Sequence, residues 1–276
     1  MAAATTPAED WSAVAPAWDD NTEYIDSHSV EATDALVAAL DVRPGDRLLE
    51  LAAGPGSLGS LWARLTGSTG QVLISDVAPG MVEVARRRNA GRATVEVDVL
   101  DASCIDRADA SFDVVVCRMG LMFTPDPSRA LREIHRVLDA RGRFGALTWG
   151  GIEHNPWMTC VGMAAMMNGL VAGGPPVGPG GIFSLGDADQ LRSLTHDAGF
   201  LDVVVDEVPT TFHSESIDAH LARVSSLAGP LAAAFAAATP EQLAAVRHTA
   251  TQLAAEYTND DGVTLPGRAL LVTGRR

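Results

Sequence analysis

Glu50, Ala52, Gly54 and Gly56 alternate through the string LLELAAGPGSLG (48–59), and Asp76 follows Gly54 by 22 residues. Glycines in such a turn let the backbone approach a ligand, and the N–H groups of a helix start point into it. An acid ending the next strand can accept hydrogen bonds from two ribose hydroxyls, each worth about 1.5–3 kcal/mol when the acceptor is charged. The pattern E-x-A-x-G-x-G is looser than the dinucleotide fingerprint G-x-G-x-x-G. Taken alone it fits a structural turn nearly as well. With the acid at Asp76 it points to a ligand carrying a ribose.

Those residues need a scaffold. RLLELA (47–52) and QVLISD (71–76) read as buried strands, with SLGSLWARL (57–65) a helix between them that Gly67 stops. GMVEVARRRNAG (80–91) reads as a helix with arginines in its last turn, where they suit the dipole. TVEVD (94–98), FDVVVC (112–117) and FGALTW (144–149) are further strands. Asp126 caps a helix with Pro127 at its first position, running to Arg141 on the stripe Leu131, Ile134, Leu138. Strands alternating with helices imply an α/β fold: a Rossmann-like, seven-stranded, mostly parallel sheet with helices on both faces.

The rhythm breaks after Trp149. Residues 155–171 read as a helix, GGPPVGPGG (173–181) as an irregular loop, 187–198 as a helix and 202–212 as a strand. Two alanine-rich helices follow, about 216–237 and 240–257. The second carries a stripe of Leu243, Val246, Ala250, Leu253 and Tyr257. A strand at 268–274 completes the pattern. At the other end, 29–40 reads as a helix, and the Ala/Thr/Pro-rich 1–17 as loose at its start. This gives four segments: an N-terminal helical cap (1–40), a cofactor-binding core (41–150), an inserted lid or acceptor segment (151–186) and a completion of the core (187–276) with its helical insertion at 216–257.

Composition excludes several functions. The 276 residues carry a net charge of −15, and all 20 basic side chains are arginine. Binding nucleic acid or an anionic membrane calls for a basic surface, so neither is expected. Without lysine there is no Schiff base, no P-loop lysine and no Tyr-x-x-x-Lys of a dehydrogenase. Cys104, Cys117 and Cys160 have neither disulfide nor zinc spacing, and no metal site is expected. With no apolar run before Arg43 and none of 18 residues anywhere, a signal peptide or membrane span is not expected, and the expected compartment is the cytoplasm.

The stretch DVLDASCIDRADASFDVVVCRMGLMFTPDPSRALREIHRVLDARGRF (98–144) adds identity to pattern. With ELAAGPG before it and NPW (155–157) after it, it resembles class I S-adenosylmethionine-dependent methyltransferases. More narrowly it resembles their ubiquinone/menaquinone-biosynthesis-type, small-molecule branch, over about residues 15–212. The resemblance implies S-adenosyl-L-methionine as cofactor and S-adenosyl-L-homocysteine as product. It implies that Glu50, Ala52, Gly54 and Gly56 line the methionine part and that Asp76 holds the ribose. Val77 and Met81 would lie against the adenine, Asp101 and Ala102 would read its amino group, and Arg118 would line the cofactor. Ala52 is a departure, being often glycine in the wider superfamily.

Methyl transfer from a sulfonium is an in-line displacement, to which a protein contributes mainly proximity, about 7–11 kcal/mol. A base is needed only where the acceptor must lose a proton. Acceptor residues belong beyond the carboxyl ends of the strands, which singles out His154 and His213 as catalytic bases, with Glu153 a further option. His135, His196, His220 and His248 read as surface residues on helices. Tyr24, beside Trp18, is placed to cap the cofactor. Met119, Met122, Met158, Met163, Met166 and Met167 suggest an adaptable apolar pocket under 155–171. The expected activity is O- or C-methylation of an apolar small molecule. The runner-up is a methyltransferase-fold protein that uses the bound cofactor structurally, in a cyclase- or hydroxylase-like reaction. The oligomeric state is left open, a homodimer included.

Overall fold

A computed structural model describes residues 6–276. Helices α1 (Pro7–Asp20), α2 (Thr22–Ser27) and α3 (Val30–Leu40) lead into β1 (Arg47–Glu50), α4 (Gly59–Thr66), β2 (Gln71–Asp76), α5 (Pro79–Arg88), β3 (Val95–Val99) and β4 (Phe112–Arg118). Then come α6 (Pro127–Val137), β5 (Leu138–Trp149), α7 (Pro156–Met167), α8 (Ala188–Asp197) and β6 (Leu201–Ser214). Helices α9 (Ile217–Leu227), α10 (Gly229–Ala237) and α11 (Pro240–Leu253) precede the two-residue β7 (Thr258–Asn259) and the long β8 (Gly262–Arg275).

The sheet runs β3-β2-β1-β4-β5-β8-β6, with β7 added on β8. The seven-stranded path is as expected, and β7 makes eight. Strands β1 to β5 pair in parallel, and β8 is antiparallel to both β5 and β6. Leu48, Leu49 and Val114–Val116 are fully buried, as strands covered on both faces must be. On β6, at the edge, only Val208, Thr210, Phe212 and Ser214 are buried, in strict alternation. From β1 the chain proceeds outward to β2 and β3, then returns to β4 on β1's other side. Ligands bind α/β sheets at such a reversal, outside the carboxyl ends of the strands.

The N-terminal segment is helical from Pro7 onward. Residues 1–5 lie outside the described residues, but α1 begins at Pro7 behind a capping box formed by Thr6 and Glu9. Arg87 and Arg88 of α5 grip Asp19 at 2.9 and 2.6 Å, and Trp18 Nε1 donates to the Leu227 carbonyl of α9 at 2.9 Å. Behind α1 and α2, α3 seats Leu36 and Leu40 on β5. A Cβ at Gly145 would stand 2.9–3.0 Å from those two side chains, so a larger residue there would push α3 off the sheet.

Several elements differ from the sequence reading. Helix α6 stops at Val137 rather than Arg141, because Leu138 turns extended (ψ 146°) and pairs with Phe112 before an irregularity restores the register at Arg143 and Val114. The Arg276 guanidinium holds the Leu138 carbonyl there. The first alanine-rich helix is two, α9 and α10. Ala228 is extended and Pro230 can give no N–H to the preceding turn. On α11 only Val246 and Ala250 are buried, while Leu243 and Leu253 are about two-fifths exposed. Among the described residues no helix is long and apolar enough to cross a membrane.

Candidate functional site

The turn after β1 takes three residues into the left-handed region: Ala52 (φ +50°), Gly54 (φ +55°) and Gly56 (φ +68°). The two glycines answer different needs. A Cβ on Gly56 would meet the Ala85 Cβ of α5 at 2.7 Å, so Gly56 is there for packing. A Cβ on Gly54 would meet nothing within 4 Å, so its open side is where a ligand can reach the backbone. Ala52 carries a side chain in a conformation that costs an ordinary residue about 1–2 kcal/mol. Its methyl lies against Gly120, where a Cβ could not be accommodated beside it, and the preceding Met119 is also left-handed (φ +59°).

Asp76 ties two turns together. Its carboxylate accepts from Gly54 N–H and from Ala78 N–H, each at 2.9 Å, and the residue is only 8% exposed. Burial pushes its carboxyl above the usual range, while the bonds from Ala78, Gly54 and Val77 oppose that. A carboxylate offers about four lone-pair sites. Gly54 and Ala78 take one site on each oxygen, and sites left on the carboxylate can serve a vicinal diol.

Glu50, at the end of β1, is 2% exposed and accepts from Trp62 Nε1 at 3.0 Å. Burial pushes its carboxyl up to about 7, against the pull of Arg118 and the Trp62 bond. Arg118 ends β4 on the neighbouring strand. Its Nη2 donates to Asp26 Oδ1 (2.8 Å) and Ser57 Oγ (3.0 Å). The structure therefore brings Glu50, Ala52, Gly54, Gly56, Asp76 and Arg118 together at the reversal between β1, β2 and β4.

The other expected residues are placed more variously. Val77 is 38% exposed beside Asp76, whereas Met81 is buried with Val14 and Ala15 of α1. The Asp101 carboxylate accepts from Ser103 N–H at 2.7 Å within its own turn, and Ala102 packs on the core. His154 is exposed, with Nε2 3.3 Å from Glu153 Oε1. His213 is exposed on β6, with Nδ1 3.0 Å from Thr264 Oγ1. At the usual strand spacing β6 stands four strands, ~19 Å, from β1. Met163 and Met166 are half-buried, each with its sulfur near Gly174, Met122 is core, and Met167 is 62% exposed. The Tyr24 hydroxyl lies 3.2 Å from Ser214 Oγ, with the Arg223 guanidinium over its ring at 4.5 Å.

One histidine differs from its sequence reading, and another had none. His220 is a buried residue, not a surface one: its Nε2 donates to the Trp157 carbonyl, and its pKa is pushed down by burial. His28, which sequence reasoning passed over, stacks on Phe212 (5.7 Å, 9°), and its Nδ1 lies 2.7 Å from the Tyr24 carbonyl. A carbonyl only accepts, so Nδ1 carries the proton of that bond. Phe212 continues into Trp157 (4.2 Å) and Trp149, an aromatic cluster at the carboxyl ends of β5 and β6. The i, i+4 spacing of Tyr24 and His28 was the available signal, but nothing in the sequence joins α2 to β6.

Comparison with known proteins agrees with this geometry. Residues 49–146 match a family model described as a methyltransferase domain. The ubiquinone/menaquinone biosynthesis C-methyltransferase UbiE of Pseudoalteromonas translucida is 33% identical over 121 residues, 43% of this chain and 48% of that protein. The chain thus spans about half the length of the curated relatives it matches. The YcgJ protein of Bacillus subtilis superposes with a TM-score of 0.60 at 18% identity, over 90% of this chain and 99% of that one. The cyclase SpnF superposes at 0.55 with 19% identity, over 96% of each chain. At such identities the structural likeness is one of fold alone. Residues 49–146 thus match a methyltransferase-domain model, the chain is similar in sequence to ubiquinone/menaquinone-biosynthesis C-methyltransferases over about half their length, and it shares the fold of the solved neighbours.

Proposed function

We propose that this protein transfers a methyl group from S-adenosyl-L-methionine to carbon or oxygen of an apolar small molecule. The observation that carries the reading is the Gly54–Asp76 pair: a glycine whose side is open, hydrogen-bonded to a buried acid with acceptor capacity left over. The residues fit the cofactor. Asp76 would hold the ribose hydroxyls, Val77 would flank the base, and Glu50 with the turn Ala52–Gly56 would hold the methionine part. When bound, the cofactor supplies an already activated methyl group.

The chain's own contribution is then alignment and exclusion of water. Helices α1 and α2 lie over the carboxyl ends of the strands, pinned to α5 and α9. The apolar lining of the acceptor side would come from Met119, Met158, Met163 and Met166. Where the acceptor must lose a proton, His154 and His213 remain candidates, and His28 joins them because it is half-buried against Phe212 in the aromatic cluster. The acid surplus favours a small acceptor over a nucleic acid, and a cytoplasmic setting suits the three free thiols.

A second reading is kept because SpnF, a cyclase, shares the fold. There the cofactor would bind without being consumed. Supplying methyl-labelled cofactor and a small-molecule extract separates the two. Methyl transfer predicts S-adenosyl-L-homocysteine and labelled product in equal amounts. A converted metabolite with no S-adenosyl-L-homocysteine would favour the cyclase-like reading.

A further inference from the structure

A charged cluster under α2 joins the N-terminal cap to the glycine turn. Arg118 donates to Asp26 and Ser57 as given above, and its Nη1 lies 3.4 Å from Thr33 Oγ1. Ser57 in turn donates to Asp26 Oδ1 at 3.0 Å. The Arg118 side chain is only 13% exposed, that of Asp26 33%. Asp26 and Ser57 also form one wall of a cleft of about 660 Å³ that opens to solvent.

Three observations make Asp26 an exchangeable partner. Both bonds to it converge on the single oxygen Oδ1, whereas Arg47 and Asp113 elsewhere pair through two nitrogens and both oxygens (2.8 and 3.0 Å). Two-pronged pairing is the stronger form, and Arg118 with Asp26 does not have it. Asp26 sits on α2, a helix of six residues, too short to be stable without its contacts. Ser57 lies within the glycine turn itself, so a ligand on that turn places its charged end beside Arg118.

We infer that Arg118, Ser57 and Thr33 form a subsite for the amino-acid carboxylate of the cofactor, and that Asp26 is a built-in competitor for it. The same guanidinium either fastens the cap through Asp26 or holds the ligand's carboxylate. This rests on the cofactor reading above. In a chain without lysine, arginine is the cation left for that task.

Calorimetry on the intact protein tests it with two probes: S-adenosyl-L-homocysteine, and 5′-methylthioadenosine, which has the same nucleoside and no amino acid. Asp26→Asn should bind S-adenosyl-L-homocysteine about 3–10-fold more tightly, the gain expected from removing one partly exposed competitor. Its affinity for 5′-methylthioadenosine should stay within about twofold, since that probe has no carboxylate to be displaced. Arg118→Gln should weaken S-adenosyl-L-homocysteine about tenfold or more, spare 5′-methylthioadenosine, and abolish the gain from Asp26→Asn in the double variant. Asp26→Ala frees the same guanidinium, should give the same sign, and replaces Asp26→Asn if the latter does not fold. Unchanged or weaker binding of S-adenosyl-L-homocysteine by the Asp26 variants, or an equal shift for both probes, would overturn the proposal and leave the cofactor reading standing. Failure of the unaltered protein to bind either probe would overturn both.

Discussion

The backbone N–H of Gly54 donates to the carboxylate of Asp76 at 2.9 Å, which fastens the turn leaving β1 to the end of β2. One side chain therefore shapes the turn and, in the proposed reading, also receives the ligand's ribose. Asp76→Ala should lower affinity for S-adenosyl-L-homocysteine at least about tenfold, because two charge-assisted bonds are lost. It should also lower stability by about 1–3 kcal/mol, because a part-buried Gly54 N–H loses its acceptor. Calorimetry and urea unfolding read the two effects separately.

Ala52 occupies a left-handed conformation for which its side chain has no use. Ala52→Gly should raise stability by about 0.5–1 kcal/mol, the relief of strain less the added freedom of the unfolded chain. Gly56→Ala should act in the opposite sense, by about 2 kcal/mol or more, since strain at φ +68° combines with the collision at Ala85. Thermal unfolding of both variants checks the contrast.

Glu50 makes stability depend on pH. Burial raises its folded-state pKa from 4.5 to about 7. The folded state thus holds its proton more tightly than the unfolded chain. That advantage is complete below about pH 4.5 and is lost as pH rises through about 7, an effect of about 3 kcal/mol. Glu50→Gln should remove this dependence, so that its stability relative to the unaltered protein improves steadily from pH 5 to pH 8. A constant difference across that range would contradict the assignment. Unfolding curves at several pH values measure it.

His220 behaves in the reverse sense. It is buried and neutral, with a pKa held below 6.5 by desolvation, and its Nε2 closes on the Trp157 carbonyl to join α9 to α7. Its contribution is present above pH 6.5 and is lost as pH falls through that range into the acid, where the unfolded chain takes the proton first. His220→Phe should cost about 2–4 kcal/mol at pH 7.5, through the unpaired carbonyl and lost shape. The penalty should shrink toward pH 5, as urea unfolding can show.

The meeting of the residues proposed to hold the cofactor was legible because its determinants are local. Glu50, Gly54 and Gly56 fall within seven residues, and Asp76 ends the next strand, so spacing alone brings them to one place. The contacts around the aromatic cluster were not. His28 meets Phe212, and Tyr24 meets Ser214, across about 190 residues of chain, and no periodicity encodes such a meeting. His220 read as a surface residue because its burial depends on α7 and β6 closing over α9. The end of α6 was misplaced because Leu138 continues the apolar stripe of Leu131 and Ile134, and only strand pairing of Leu138 with Phe112 takes it out of the helix.

Titration of the unaltered protein with S-adenosyl-L-homocysteine, beside NAD as the control dinucleotide, tests the central claim most directly. The account predicts one saturable site per chain for S-adenosyl-L-homocysteine, weakened at least about tenfold by Asp76→Ala, with no comparable heat from NAD. Equal binding by Asp76→Ala, or a preference for NAD, would contradict it.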